Sequence, residues 1–142
     1  MSGTLEAFLK KNKRVRGNVE YAVSKDFVDE GGLPVKWVLR AISTAENERI
    51  REDCTREVQE KGGGYRARVD TGAYMAKLAA ACVVEPNLYD AALQDSYGVK
   101  TPEALLKEMV DSPGEYAELM RFISKLNGFD GELGEEVDQA KN

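Results

Sequence analysis

The chain has 142 residues, 42% of them hydrophobic and 32% charged. That is the balance of one globular domain with a densely charged surface and enough core to fold without a metal or disulfide staple. There is no histidine and the formal net charge is −5, which removes the Ser–His–Asp and Cys–His nucleophiles and the usual zinc and non-haem iron ligand sets. Thr4 is read as the cap of a short first helix with Leu5, Phe8 and Leu9 on its apolar face. Five cations follow within seven residues: Lys10, Lys11, Lys13, Arg14 and Arg16. Val19, Tyr21 and Val23 then alternate with polar residues, as do Val35, Trp37, Leu39 and Ala41 across the turn cluster Glu30-Gly31-Gly32-Leu33-Pro34, which predicts a β-hairpin with a long loop.

Ser43-Thr44-Ala45-Glu46 has the pattern of a capping box and predicts a helix to about Glu60. Ile50, Cys54 and Val58, each four apart, would form a narrow apolar stripe on it, and Glu52 would pair with Arg56 one turn on. Gly62–Gly64 would end that helix as a flexible linker; neither phosphate-loop pattern is present around it. Tyr65, Ala67 and Val69 alternate with Arg66, Arg68 and Asp70 and predict a brief third strand. From Asp70 the period becomes helical, and the nearly continuous apolar run from Leu78 to Val84 marks a central core helix that Glu85-Pro86 should end. A short helix is predicted over 87–94, with a turn at Asp95-Ser96-Tyr97-Gly98. Thr101-Pro102 opens another helix, with Leu105, Leu106 and Met109 facing inward. Ser112-Pro113-Gly114-Glu115 combines a cap, a proline and a second capping-box glutamate, and Gly128 stands where a left-handed C-terminal cap is expected.

The fold class that emerges is α+β: a mostly helical single domain with a small antiparallel β-hairpin or sheet near its N-terminal side. Residues 1–129 form this domain. Residues 130–142 carry five carboxylates against one lysine, with few branched apolar residues, and are expected to be a disordered, flexible acidic tail. No stretch of about 18 apolar residues is present to span a membrane, and the first residues lack the apolar run of a signal peptide. Cys54 and Cys82 can pair by parity alone; the reading adopted is two buried, inert thiols in a reducing cytoplasm. The basic run would neutralise a few phosphates, but only Phe8 stands near as a stacking aromatic and the chain is acidic, so it is read as a solvated helix end. No catalytic, cofactor-binding or metal-binding residue is assigned. The candidates for protein contact are the Ile50, Cys54 and Val58 stripe, for which a surface helix lying on the core is the alternative, and the aromatics Trp37, Tyr74 and Tyr97, for which core packing is the alternative.

One segment is more specific than its periodicity. The run from Tyr74-Met75-Ala76-Lys77-Leu78 through Val84-Glu85-Pro86-Asn87-Leu88, followed by Ala92-Leu93-Gln94-Asp95-Ser96-Tyr97-Gly98-Val99, resembles the XkdN-like family of phage tail assembly chaperones. So do Leu5–Lys10, Pro34-Val35-Lys36-Trp37, Arg40-Ala41-Ile42-Ser43, Ala104–Met109 and Pro113-Gly114-Glu115-Tyr116, in order over residues 4–130. The resemblance implies a non-enzymatic chaperone of a phage or prophage tail, without a cofactor. It would bind the tape measure protein, help recruit tail tube protein, act in the host bacterial cytoplasm and be absent from the mature virion. Self-association is a further expectation. The family also implies a longer form made by programmed frameshifting. Ala140-Lys141-Asn142 can be encoded GCA AAA AAC, which contains a slippery heptamer in frame. A structural tail completion or joining protein and a small nucleic-acid-binding regulator are the alternatives.

Overall fold

The computed structural model describes residues 3–129. The expected acidic tail, with its candidate slippery codons, lies outside these residues. Among the described residues, six helices and five strands follow one another in a single α+β domain: α1 (Gly3–Phe8), β1 (Val19–Tyr21), β2 (Trp37–Leu39), α2 (Thr44–Asp53), β3 (Thr55–Gln59), β4 (Tyr65–Val69), α3 (Thr71–Cys82), β5 (Val83–Glu85), α4 (Ala91–Ser96), α5 (Pro102–Met109) and α6 (Pro113–Leu126). A three-residue 3₁₀ turn, Lys10–Asn12, follows α1.

The core is organised around α3. Asp70 caps it by accepting from the Ala73 N–H at 3.1 Å, and Tyr74, Met75, Ala76, Leu78, Ala79, Ala80 and Cys82 are all buried. Burial on more than one face is the signature of a central helix. Helices α2, α5 and α6 and strand β5 pack against it. Helices α5 and α6 bring Leu105, Leu106, Leu119 and Ile123, all fully buried, into one core cluster with Leu78. The α5 cap forms as its sequence predicts, with Thr101 Oγ1 accepting from Ala104 N–H at 3.2 Å. The end of α6 is a Schellman motif. Gly128 takes φ +78°, its N–H donates to Lys125 C=O at 3.0 Å, and Phe129 N–H donates to Ser124 C=O at 2.8 Å. Beside it, the Asn127 side chain accepts from Ile42 N–H at 2.9 Å. The same side chain donates to Ile123 C=O at 2.9 Å and to Cys82 Sγ at 3.4 Å. One amide thus ties together the C-terminal ends of α3 and α6 and the entrance to α2.

The predicted hairpin exists: β1 and β2 pair antiparallel, with Val19 opposite Leu39 and Tyr21 opposite Trp37. It becomes a three-stranded sheet, ordered β1-β2-β5, because α3 stops at Cys82 rather than running to Pro86. Val83–Glu85 pairs with β2 instead, and Arg40 N–H donates to Cys82 C=O at 2.8 Å to extend the ladder. The Glu85–Pro86 peptide is cis.

Further expectations are corrected. The α2 capping box forms with both reciprocal bonds, but the helix ends at Asp53 and not near Glu60. Thr55–Gln59 is a strand paired with Tyr65–Val69, so Gly62–Gly64 is the turn of a hairpin and not a linker. Gly62 and Gly63 hold φ of +99° and +95°, which β-carbon-bearing residues rarely adopt. Arg56 therefore reaches Asp70 at 3.6 Å instead of pairing with Glu52. The fourth helix begins at Ala91, later than predicted, with Asp90 as its cap accepting from Leu93 N–H at 2.8 Å. At α6 the Ser112–Glu115 box does not form: Ser112 makes no side-chain cap bond, and the Glu115 carboxylate has tertiary partners described below. Helix α1 starts at Gly3, which places Thr4 inside it rather than at its cap.

Truncating the centre should be costly. Leu78→Ala is expected to destabilise the fold by about 2–5 kcal/mol, and Ala79→Leu, which adds volume where none is free, by about 1–3 kcal/mol. Urea denaturation with an unchanged m-value checks both.

Candidate interaction surfaces

The residues singled out from sequence do not form one exposed patch. Trp37 and Tyr74 are 2% and 3% exposed and belong to the core cluster, as does Cys54. Ile50 and Tyr97 are half-buried and pack against that cluster. Val58 lies on β3, outside it, so Ile50, Cys54 and Val58 share no helix face. Tyr74 donates its hydroxyl proton to Asn47 Oδ1 and lies under the Arg51 guanidinium, 5.6 Å from its ring centre, which positions α2 on α3. Phe27 packs against Trp37 with ring centres 6.2 Å apart.

What faces solvent lies elsewhere. Helix α1 exposes Leu5 by 73% and Phe8 by 80%, and Leu9, just past its end, is 40% exposed. It is held by local bonds: Asn12 Nδ2 donates to Glu6 C=O at 2.7 Å, and Lys11 pairs with Glu6 at 3.4 Å. The basic residues that follow are all exposed, as predicted for a solvated run.

A second apolar surface lies on the loop between β1 and β2. Asp29 Oδ1 accepts from Gly31 N–H at 2.8 Å and Leu33 N–H at 3.0 Å. Asp29 N–H donates to Leu33 C=O at 2.8 Å, and Val35 N–H to Phe27 C=O at 2.7 Å. These bonds fold the turn cluster into a ridge that holds Val28, Leu33 and Val35 out to solvent. Between the ridge, Pro86 and Met109 runs an open groove of about 540 Å³, floored by Phe27 and Trp37 and edged by Asp26, Glu85 and Lys36. On the other side of Val35 a second groove of about 480 Å³ is lined by Leu33, Pro34 and Asp29.

Glu115 anchors the near end of this loop. Ser24 donates its hydroxyl proton to Oε1 at 2.7 Å and Lys25 N–H donates to Oε2 at 2.8 Å. These two bonds, the Lys25 N–H first, hold the Glu115 carboxyl below its ordinary range. Alongside, Tyr21 stacks on Phe122 with ring centres 4.0 Å apart. Its burial, with Glu118 and Glu115 nearby, pushes the phenol up. At the α2 entrance, Glu46 accepts two bonds from the Arg40 guanidinium, at 3.1 and 2.8 Å. That pairing first, with the Ser43 N–H, lowers its carboxyl to about 2.

The third exposed element is the β3–β4 hairpin. Arg56 stands directly opposite Arg68, and Val58 opposite Arg66, on one face. Like charges so placed are unfavourable, and Arg56 turns to Asp70 while Arg66 pairs with Glu60 at 3.2 Å. Among the described residues no cluster of three His, Cys, Asp or Glu side chains suited to a metal ion is present, and no helix is long and apolar enough to cross a membrane. Cys54 and Cys82 are free and buried, and burial raises both thiols.

The groove could not be read from sequence, because its walls come from three separated segments. The short first helix was legible from the spacing of Leu5, Phe8 and Leu9, but nothing in that spacing said that they would be exposed among the described residues.

Comparison with known proteins gives consistent matches along the chain. The family model for the phage XkdN-like tail assembly chaperone protein matches residues 5–141. The protein YqbN of Bacillus subtilis (strain 168) is 31% identical over 124 residues, spanning 87% of this chain and 83% of that one. The XkdN protein of the phage-like element PBSX, from the same organism, is 26% identical over 124 residues, 87% of this chain and 84% of its own. The crystal structure of YqbN superposes with a TM-score of 0.75 and 25% identity over 87% of this chain and 95% of that chain.

Two outcomes follow from the buried and paired groups. Both thiols should resist a disulfide reagent in the native protein and react at the rate of global or local opening; labelling followed by mass spectrometry reads this. Glu46 and Glu115 have depressed carboxyls, so their stabilisation is present above the ordinary carboxylate range and is lost as pH falls through it toward about 2 for Glu46. Glu46→Gln combined with Glu115→Gln should therefore flatten the fall in stability between about pH 5 and pH 2, measured by urea titration at each pH.

Proposed function

Because the chain belongs to the phage XkdN-like tail assembly chaperone family, we propose that it is a non-enzymatic assembly chaperone of a phage or prophage tail. In this reading it binds the tape measure protein, keeps that long helical client soluble and helps recruit tail tube protein. It acts in the host bacterial cytoplasm and leaves before the virion is mature. The observation that carries the reading is the family match over nearly the whole chain. The placement of exposed apolar groups supports it. They sit on an arm and a ridge around a buried centre, the arrangement expected of a protein that holds helical or extended segments by apolar contact. A longer product made by slippage over the Ala140-Lys141-Asn142 codons belongs to the same proposal; a GCC codon at Ala140 defeats this version.

Co-expression with the tape measure protein from the same gene cluster tests the central claim. The expected result is a client that moves from the pellet to the soluble fraction as a complex with this chain. A client that remains insoluble, with no complex formed, overturns the reading. Purified tails that retain the chain in fixed proportion would favour a tail completion or joining protein instead.

A further inference from the structure

Two segments of the chain carry opposite charge. Lys10, Lys11, Lys13, Arg14 and Arg16 stand close together near the start, and residues 130–142 carry Asp130, Glu132, Glu135, Glu136 and Asp138 against Lys141. Residues 10–18 are all exposed, and among the described residues the basic run has one ion pair, Lys11 to Glu6 at 3.4 Å. The fold brings the two segments to one corner. Ser24 and Lys25 bond Glu115 in the first turn of α6, and Tyr21 stacks on Phe122 further along the same helix. The helix rises about 10 Å between those two points, and the extended chain from Tyr21 to Ser24 covers about the same distance. From Lys25 back to Val19 the chain thus follows α6 toward its C-terminal end. Val19 lies opposite Leu39. Just past Leu39, the Ile42 N–H donates to Asn127 Oδ1 at 2.9 Å, at the foot of α6. Phe129 packs on the core cluster beside it. The basic run therefore enters the domain where residues 130–142 depart from it.

Fully extended, Asp130 to Asp138 spans about 27 Å and Lys10 to Arg16 about 20 Å, so the carboxylates can reach every cation. Single exposed ion pairs are weak, and the contact draws on their number and on the tether, which sets an effective concentration of roughly millimolar order. We propose that residues 130–142 lie along the basic run of the same chain, with Asp130 and Glu132 toward Arg16 and Arg14 and the later carboxylates toward the three lysines, and that this contact keeps nucleic acid off the run. Left bare, clustered cations bind nucleic acid through its phosphates whatever its sequence. With the acidic segment in place, a phosphate chain must first displace a tethered competitor. The inference is independent of the client proposed above, and a failure here leaves the chaperone reading standing.

Carbodiimide coupling, which joins a lysine amine to a carboxylate in direct contact, tests the contact. On a mixture of light and heavy-isotope chains at low salt, Lys10, Lys11 and Lys13 should link to carboxylates of residues 130–138. The linked peptides should be all light or all heavy, and about 0.5 M salt should suppress them. Binding to a fluorescent oligothymidine tests the consequence. The full chain carrying Asp130→Asn, Glu132→Gln, Glu135→Gln, Glu136→Gln and Asp138→Asn should bind it at least about 10-fold more tightly than the unaltered chain at about 50 mM salt, with a salt slope near −3.5 for five neutralised phosphates. Replacing the five cations by Gln in that variant should abolish binding. A control of equal net charge, with Glu48→Gln, Glu52→Gln, Glu57→Gln, Glu108→Gln and Asp111→Asn, should bind as weakly as the unaltered chain. The proposal is overturned if no links reach the three lysines, or if linked peptides mix light and heavy chains in statistical proportion. It is equally overturned if neutralising residues 130–138 leaves oligothymidine binding unchanged, or raises it no more than the control does.

Discussion

A helix enclosed by its neighbours must satisfy every backbone group internally and present a surface that several elements can approach closely. Helix α3 meets both demands through its small side chains. Ala76, Ala79 and Ala80 are at most 3% exposed and lie among buried Leu78, Tyr74 and Cys82. Alanine carries no rotamer entropy and favours the helix, while its small volume lets α2, α5, α6 and β5 pack close. The rest of the architecture depends on this packing. Strand β5 follows α3 directly and carries the sheet to it. Asn127 closes the same end by bonding three separate segments. The acidic cap Asp70 begins the helix at the other end, where the β3–β4 hairpin also leaves.

Much of this was legible because local rules and tertiary packing agree. The Thr101-Pro102 start, the Gly128 stop and the Ser43–Glu46 box each rest on bonds within a few residues of chain, and the inward faces of α3, α5 and α6 follow the helical period of their apolar residues. Where the sequence misled, a distant partner decided. Val83-Val84-Glu85 continues an apolar helical run, yet becomes a strand because β2 offers an edge beside it. Ile50, Cys54 and Val58 fit a helix at three points, but Thr55 and Val58 also suit a strand, and Gly62–Gly64 lets Tyr65–Val69 fold back to pair with it. The Ser112–Glu115 box lost its glutamate to Ser24 and Lys25, some ninety residues away. Trp37 and Tyr74 are aromatics that suit either an interface or a core, and the structure places both in the core. The ridge groove left no local signal, since residues near 27, 86 and 109 meet only in the folded chain.

The division of labour follows from these placements. Side chains that fix the fold are concentrated in α3, α5, α6 and the first sheet. Exposed apolar groups include Leu5 and Phe8 on α1 and Val28, Leu33 and Val35 on the β1–β2 ridge, two elements held by short-range hydrogen bonds. Glu115 is the link between the two classes, because one carboxylate on a core helix fixes the loop that leads into the ridge.

The hairpin has a consequence of another kind. Its base is closed by Asp70 N–H donating to Cys54 C=O at 2.8 Å, and both its strands are solvent-exposed along most of their length. Its reach is therefore uncoupled from the packing beneath it. Adding or removing matched residues next to the Gly62–Gly64 turn leaves the register at the base, and so the face of every side chain nearer the base, unchanged. The Gly62–Gly64 tip is accordingly the position at which relatives of this fold can differ in length, and at which a peptide epitope can be inserted, without the centre of the molecule registering the change.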